Sequence, residues 1–245
     1  VANELLPVAV YQALLTVPGL RKGRTAAKEK PPVGPVPDDI IEKTLPHLPP
    51  IVAAMVRIQR LTGMRPQEVV GLRPLDLDMS DPACWVYQPG RHKSEHHDRQ
   101  RVIFLGPQAI EVLKPFLTLD ISRYVFSPQE SVARRNARRR AERRTPLWDS
   151  HRRHQDRKRK DQPQRTPRDR YTVASYRRAI RRACLKLGIS VWFPHQIRHS
   201  SATAIRRQYG VEAAQAVLGH AELSTTEIYA EKSREAARQI MREIG

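Results

Sequence analysis

Four groups of residues have the types and spacing that chemistry on a phosphate would need. The first is the stretch TGMRPQEVVGL, where Arg65 stands at a helix start and Glu68 follows three positions on. A guanidinium fork beside the exposed amides of a helix N-terminus suits a phosphate, and Glu68 is placed to orient it. The same pair is also a common surface i,i+3 ion pair. The second is Lys93, at the tip of a polar segment between two β-rich runs. A lysine on such a loop reaches into a site as a proton donor, and its pKa responds readily to its surroundings. The third is PHQIRHSSAT, where His195 and Arg198 are three apart and share a helix face, a poor pair to bury and equally at home on an exposed helix start. The fourth is LGHAELSTTEIYAEK, with His220 nine residues ahead of Tyr229. A tyrosine becomes a nucleophile only when its proton is removed or its oxyanion stabilised, so it requires cationic and imidazole neighbours. His92, His96 and His97 flank Lys93, but a polar turn tip lacks the rigid geometry of a metal site, and no metal is expected.

The elements that must position these groups are mostly helical. Residues 1–20 are helical in part, and RKGRTAAKEKPPVGPVP is a basic, Pro-rich linker. PDDIIEKTLPHL begins a helix, with the Asp pair as N-cap. PPIVAAMVRIQRLTG is a helix opened by Pro and closed by Gly63. The helix starting near Arg65 buries Val69, Val70 and Leu72. WVYQP and RVIFL form a hairpin around GRHKSEHHDRQ, PQAIEVLKPFL returns to helical period, and YVFSP is a short extended piece. Thr172 caps a helix that ends at Gly188, and PHQIRHSSATAIRRQYG, VEAAQAVLG and SREAARQIMREIG are further helices. The fold class is mainly α with a small antiparallel β-sheet (α+β), divided into residues 1–38 and a globular unit at 39–245.

Charge points to the partner. The 245 residues carry 44 Lys plus Arg against 25 Asp plus Glu, a formal charge of +19. A polyanion, and nucleic acid first, is the expected partner. Within residues 131–170, 16 Lys or Arg stand against five acids, which is +11 of that +19. This stretch has little to bury and reads as a disordered or weakly helical insertion. Arg134, Arg135, Arg138, Arg139, Arg140, Arg143 and Arg144 are its candidate DNA contacts, since counterion release rewards dense arginine on a duplex. Cys84 and Cys184 carry no disulfide or zinc spacing, which suggests a reducing compartment. No run approaches the ~20 apolar residues that span a bilayer, and no signal peptide is apparent. The chain begins with Val, so it reads as a fragment or processed product of a longer protein.

Together, TGMRPQE, GRHKS, HQIRH and LGHAELSTTEIY, in that order, resemble the tyrosine recombinases, or phage-type integrases. The resemblance covers about residues 40–235 and implies the DNA breaking-rejoining catalytic fold. It implies a site-specific recombinase acting in DNA integration and recombination on mobile elements. Strands are cleaved and rejoined through a 3′-phosphotyrosyl intermediate, with neither metal nor cofactor. Tyr229 would be the nucleophile, Arg65 and Arg198 the clamp on the non-bridging oxygens, and Lys93 the acid for the departing 5′-oxygen. His195 would serve as acid/base and His220 as a hydrogen-bond donor to phosphate, with Glu68 and His199 in support. The implied partner is double-stranded DNA, bound by a homo-tetramer that trades C-terminal segments, here residues 233–245, in a prokaryotic cytoplasm. Against the family's pattern, the N-terminal DNA-clamping domain would be absent or reduced to residues 1–38, and the 131–170 insertion is longer and more basic than the usual connection, so its role does not transfer. Two other readings share these residues: a type IB topoisomerase-like relaxing enzyme, and a non-catalytic DNA-binding relic. The wording of the H-x-x-R-H and LGH boxes favours the recombinase over the first. Six intact catalytic positions count against the second.

Overall fold

The computed structural model describes residues 6–17, 19, 33–90, 101–158, 166–219 and 238–244. The chain divides into two compact units, residues 1–33 and 34–245. In the first, α1 (Val8–Leu15) buries no residue and leaves Val8, Val10, Tyr11, Leu14 and Leu15 exposed. Residues 34–37, the end of the Pro-rich stretch, belong to the second unit. There Val36 is buried, and its N–H and C=O both bond to the Ser200 hydroxyl, at 2.9 and 2.8 Å.

The second unit is built on α3 (Pro50–Thr62), which packs against α5 (Pro107–Leu113) and α9 (Pro194–Leu218). Helix α3 starts with Pro at N1, where its missing N–H costs nothing. It buries Ile51, Val52, Met55, Val56, Ile58 and Gln59, wider than one amphipathic stripe, because it is flanked on both sides. Each fully buried aliphatic side chain contributes about 1.5–3 kcal/mol. Gln59 is the polar exception in this core. Its amide donates to the carbonyls of Met64 (3.2 Å) and Pro194 (2.9 Å) and accepts from the Tyr176 hydroxyl (3.1 Å), so α3, α8 (Val173–Leu187) and the start of α9 share one hub.

Helix α2 (Asp38–Thr44) forms as expected but with a different cap. Pro37 is the N-cap, and Asp38 and Asp39 fall in the first turn, where they favour the helix dipole without bonding the end amides. Helix α4 (Pro66–Gly71) buries Val69 and Val70, with Leu72 just beyond it also buried. The sheet has one strand more than the hairpin. A short β1 (Leu77–Asp78) pairs antiparallel with β2 (Trp85–Tyr87), which pairs with β3 (Ile103–Leu105), aligning Tyr87 with Leu77 and with Ile103. Two residues carry too little period-2 signal for β1 to be read from sequence. Trp85, Tyr87, Ile103 and Leu105 are buried on the main core, while Phe104, on the other face, packs against a second cluster.

YVFSP is not a strand. It bends to bury Val125 and Phe126, and the Val125 N–H bonds the Leu72 carbonyl at 3.0 Å. In the basic insertion the described residues form helices α6 (Pro128–Ala141) and α7 (Asp149–Lys158), with no buried residue in either. The Ser127 hydroxyl caps α6 by accepting from the Gln129 N–H. Helix α8 has the expected Thr172 cap, completed by Ser175, and Gly188 follows its end. The two helices expected after Phe193 meet end to end in α9, which breaks at Gly210.

The second cluster joins Ile205, Ala214, Val217 and Leu218 of α9 to Ile240 and Met241 of a helical segment at 238–244. Arg238 and Arg242 from that segment pair with Asp81, in the β1–β2 connection. These C-terminal residues therefore dock on their own chain.

Candidate active site

Three guanidinium groups and one carboxylate meet where the ends of α3, α4 and α9 converge. Arg65 is the N-cap of α4, in extended conformation, and Pro66 at N1 helps to end the preceding turn there. The Glu68 side chain folds back over this helix start. Its Oε2 accepts from the Arg65 backbone N–H at 2.6 Å and its Oε1 from Arg65 Nη1 at 3.0 Å. Arg65 thus has both its main chain and its head group fixed by one carboxylate. Glu68 is only 3% exposed, and the Tyr87 hydroxyl from β2 donates to its backbone carbonyl at 3.0 Å.

Arg198 enters from α9. It is buried, and both arms of its fork are committed: Nη1 donates to the Gly63 carbonyl at 2.8 Å and Nη2 to the Leu218 carbonyl at 2.7 Å. These carbonyls close α3 and α9, so Arg198 ties two helix C-termini together. Such ends carry partial negative charge and unpaired acceptors, which is what a buried cation needs. Gly63 takes a positive φ of 63°, and a Cβ there would lie 2.6 Å from Leu218 Cδ2, so glycine is required twice over.

The third cation, Arg101, lies just before β3 and was not singled out from the sequence. It is 6% exposed; Nε donates to Glu68 Oε1 at 3.3 Å and Nη1 to the Val217 carbonyl at 3.4 Å. Its Nη2 is buried with no acceptor among the described residues. Among the described residues, one acidic neighbour does not balance three cations. Burial, and then the proximity of Arg65 and Arg101, push the Arg198 guanidinium down to about 10. Burial, reinforced by Arg65 and opposed by Glu68, likewise lowers Arg101. A cluster with this excess of positive charge attracts an anion, and guanidinium forks match the geometry of phosphate oxygens.

Of the residues expected to act, Arg65, Glu68 and Arg198 are brought together. His195 is the second residue of α9 and is exposed, whereas Arg198 one turn on is buried; the shared face therefore straddles the rim of the core. The ring of His195 meets His199 edge-on, with centroids 5.3 Å apart. Lys93, His220 and Tyr229 lie outside the described residues, as do His92, His96 and His97. Gly219, immediately before His220, ends α9 with φ 62°, and a Cβ there would collide with Arg101 Nη1.

The basic insertion is only partly free to contact another molecule. Arg134 is held by Glu130 (2.9 Å), by the Pro115 carbonyl (2.9 Å) and over the Phe116 ring. Arg138 pairs with Glu142, and Arg143 donates to the Thr145 carbonyl. Arg135, Arg139, Arg140 and Arg144 are exposed and have no partner among the described residues. No described helix is long and apolar enough to cross a membrane.

Residues 43–236 match the phage integrase family. The chain belongs to that family. Among integrase relatives it is 26% identical over 184 residues to the tyrosine recombinase XerC of Yersinia pestis, and equally to that of Serratia marcescens. Each alignment covers 72% of this chain and 46% of the relative, so the chain spans about half the length of the recombinases it matches. A solved structure of XerA recombinase is similar over 95% of this chain and 70% of its own, at 19% identity and a TM-score of 0.49. A XerH site-specific recombinase bound to its difH substrate is similar over 85% and 55%, at 20% identity and a TM-score of 0.45.

Proposed function

We propose that this integrase-family chain is the catalytic part of a site-specific DNA recombinase that cleaves and rejoins strands without metal or cofactor. The observation that carries the reading is that Arg65 and Arg101 share the Glu68 carboxylate, the one acid of this cluster among the described residues, with Arg198 beside them at the turn that precedes His220 and Tyr229 in the chain. A phosphodiester seated there places its non-bridging oxygens against Arg65 and Arg198. Charge on those oxygens grows as the phosphorus becomes five-coordinate, so fixed cations stabilise the transition state more than the ground state.

The Tyr229 oxygen attacks phosphorus, and its proton leaves to His195 or solvent. The bond from phosphorus to the 5′-oxygen breaks, and Lys93 gives that oxygen a proton. The product is a 3′-phosphotyrosyl linkage and a free 5′-hydroxyl. Attack by the 5′-hydroxyl of another strand reverses the sequence, reseals DNA and frees Tyr229. His220 donates a hydrogen bond to the phosphate, and His199 supports His195 through the ring contact. Arg135, Arg139, Arg140 and Arg144 track the DNA backbone, with Arg134, Arg138 and Arg143 shaping the arm.

Strand exchange requires several protomers, and we assign it to a tetramer on DNA in a prokaryotic cytoplasm, linked through residues 233–245. In the isolated chain Ile240 and Met241 are buried against α9, so exchange between protomers begins by undocking them. The test is covalent capture on a pool of nicked duplexes: wild type forms a protease-sensitive protein–DNA adduct and Tyr229→Phe forms none. Equal behaviour of the two refutes the assignment.

A further inference from the structure

Arg101 presents three observations that the clamp itself does not explain. Its fork joins two things far apart in sequence: the carboxylate that orients Arg65 and the carbonyl of Val217, two residues before the turn at Gly219. Its Nη1 occupies the space that a side chain at position 219 would need. Its Nη2 is buried with no acceptor among the described residues. A lone buried ion pair with Glu68 accounts for the first bond only. A charged group is costly to bury, and a methionine of similar volume would fill the same space at less cost.

We propose that Arg101 is a positioning residue: it couples the Arg65–Glu68 pair to the end of α9, from which the segment carrying His220 and Tyr229 departs. Glu68 sits at the centre of this coupling, bonded to Arg65 through both oxygens and to Arg101 through one of them. Displacing the α9 end moves the Val217 carbonyl and the wall at Gly219, and Arg101 transmits that displacement to Glu68 and so to the Arg65 fork. The two Arg101 bonds, 3.3 and 3.4 Å, are longer than usual for N–H···O, which leaves the fork room to tighten when substrate is seated. Nucleophile segment and phosphate clamp are then aligned as one unit. Gly219 serves the same purpose, since any larger residue would displace the fork.

This inference rests on the recombinase reading, and the test separates the two. Nicked duplexes captured by wild type from a randomised library supply the substrate. Single-turnover adduct formation and DNA affinity are then measured for Arg101→Met, which keeps the stem and volume, and for Arg101→Lys, which keeps the charge. Affinity is read in the Tyr229→Phe background. The expected result is adduct formation at least thirtyfold slower for Met, with Kd within threefold of wild type and partial recovery by Lys. Lysine falls short because one ammonium cannot reach Glu68 and Val217 together. Because Arg101 acts through Glu68, Arg101→Met combined with Glu68→Gln is expected to be no slower than the slower single variant. Wild-type rates for Arg101→Met, or independent multiplication of the two losses, overturn the proposal. If Arg101→Met does not fold by circular dichroism, Arg101→Lys decides. A rate at least tenfold slower at unchanged Kd supports the coupling, and a wild-type rate refutes it. Absence of a Tyr229-dependent adduct from wild type instead refutes the recombinase reading, and this inference with it.

Discussion

Replacing Arg198 by methionine separates what this residue does for folding from what it does for chemistry. Two terms act on stability with opposite sign. The substitution strands the carbonyls of Gly63 and Leu218, which lose donors at 2.8 and 2.7 Å. Each unsatisfied buried acceptor costs about 1–3 kcal/mol. It also removes a charge whose guanidinium is held down to about 10 by burial and by Arg65 and Arg101. Measured from the ordinary arginine value, that lowering is a cost of about 3 kcal/mol in keeping Arg198 charged at neutral pH. The terms largely cancel, and Arg198→Met is expected to change unfolding free energy by no more than about 3 kcal/mol. Urea denaturation at pH 7 measures it. Cleavage does not share in this cancellation. One donor aimed at a developing oxyanion is worth about 10²–10³ in rate, so single-turnover adduct formation should fall by at least about a hundredfold. A loss of stability beyond about 5 kcal/mol would show that burying the charge is not costly and refute the electrostatic reasoning. Cleavage within tenfold of wild type would remove Arg198 from the clamp.

Three further outcomes follow from the geometry. Gly219→Ala forces an alanine into a left-handed conformation and its Cβ into Arg101. We expect a stability loss of about 1–2 kcal/mol by urea denaturation, together with a loss of adduct formation that Kd for DNA does not follow. Changing Arg135, Arg139, Arg140 and Arg144 together to Gln should lower the slope of log K against log salt by about 0.9 for each phosphate no longer neutralised, leaving helix content unaltered by circular dichroism. An unchanged slope would make α6 a surface helix with no DNA role. The Tyr87 phenol, buried and near Asp76 and Glu68, is pushed well above the ordinary tyrosine value. Its neutral form is favoured in the folded state, so stability is retained below about pH 10 and declines as pH rises further and the unfolded state ionises. Arg198 shifts in the opposite sense, so the comparison of wild type with Tyr87→Phe isolates the tyrosine: the variant's urea midpoint should fall less between pH 9 and 11.

Much of this arrangement was legible in the sequence because it is local. Gly63 after an apolar helix, Pro66 after Arg65, and Thr172 before an amphipathic stretch announce helix ends by chemistry that acts within a few residues. Glu68 was readable as the partner of Arg65 for the same reason. Arg101 was not: it begins a β-rich run, among many arginines, and its meaning comes from Glu68 and Val217, 33 and 116 residues away. Gln59 was also hidden, although a polar residue between buried Ile58 and the helix end at Thr62 was the available sign. The two strands of the hairpin stood out as runs of β-branched and aromatic residues, while β1 was too short to do so. For α6 and α7 the sequence left helix and disorder both open, because a helix that buries nothing has no apolar stripe to reveal it.

The commitment of both Arg198 nitrogens to carbonyls bears on how a member of this family would decay. Selection for a folded protein alone disfavours most replacements of a side chain that cross-links residues 63 and 218. A copy that no longer cuts DNA but is still kept folded would lose its arginine only to the few replacements, such as methionine, that fill the same space. An intact arginine at this position is thus weak testimony to living chemistry. In a lineage of silent relatives, the earliest losses should appear at positions such as Tyr229 and Lys93, with the arginine outlasting them.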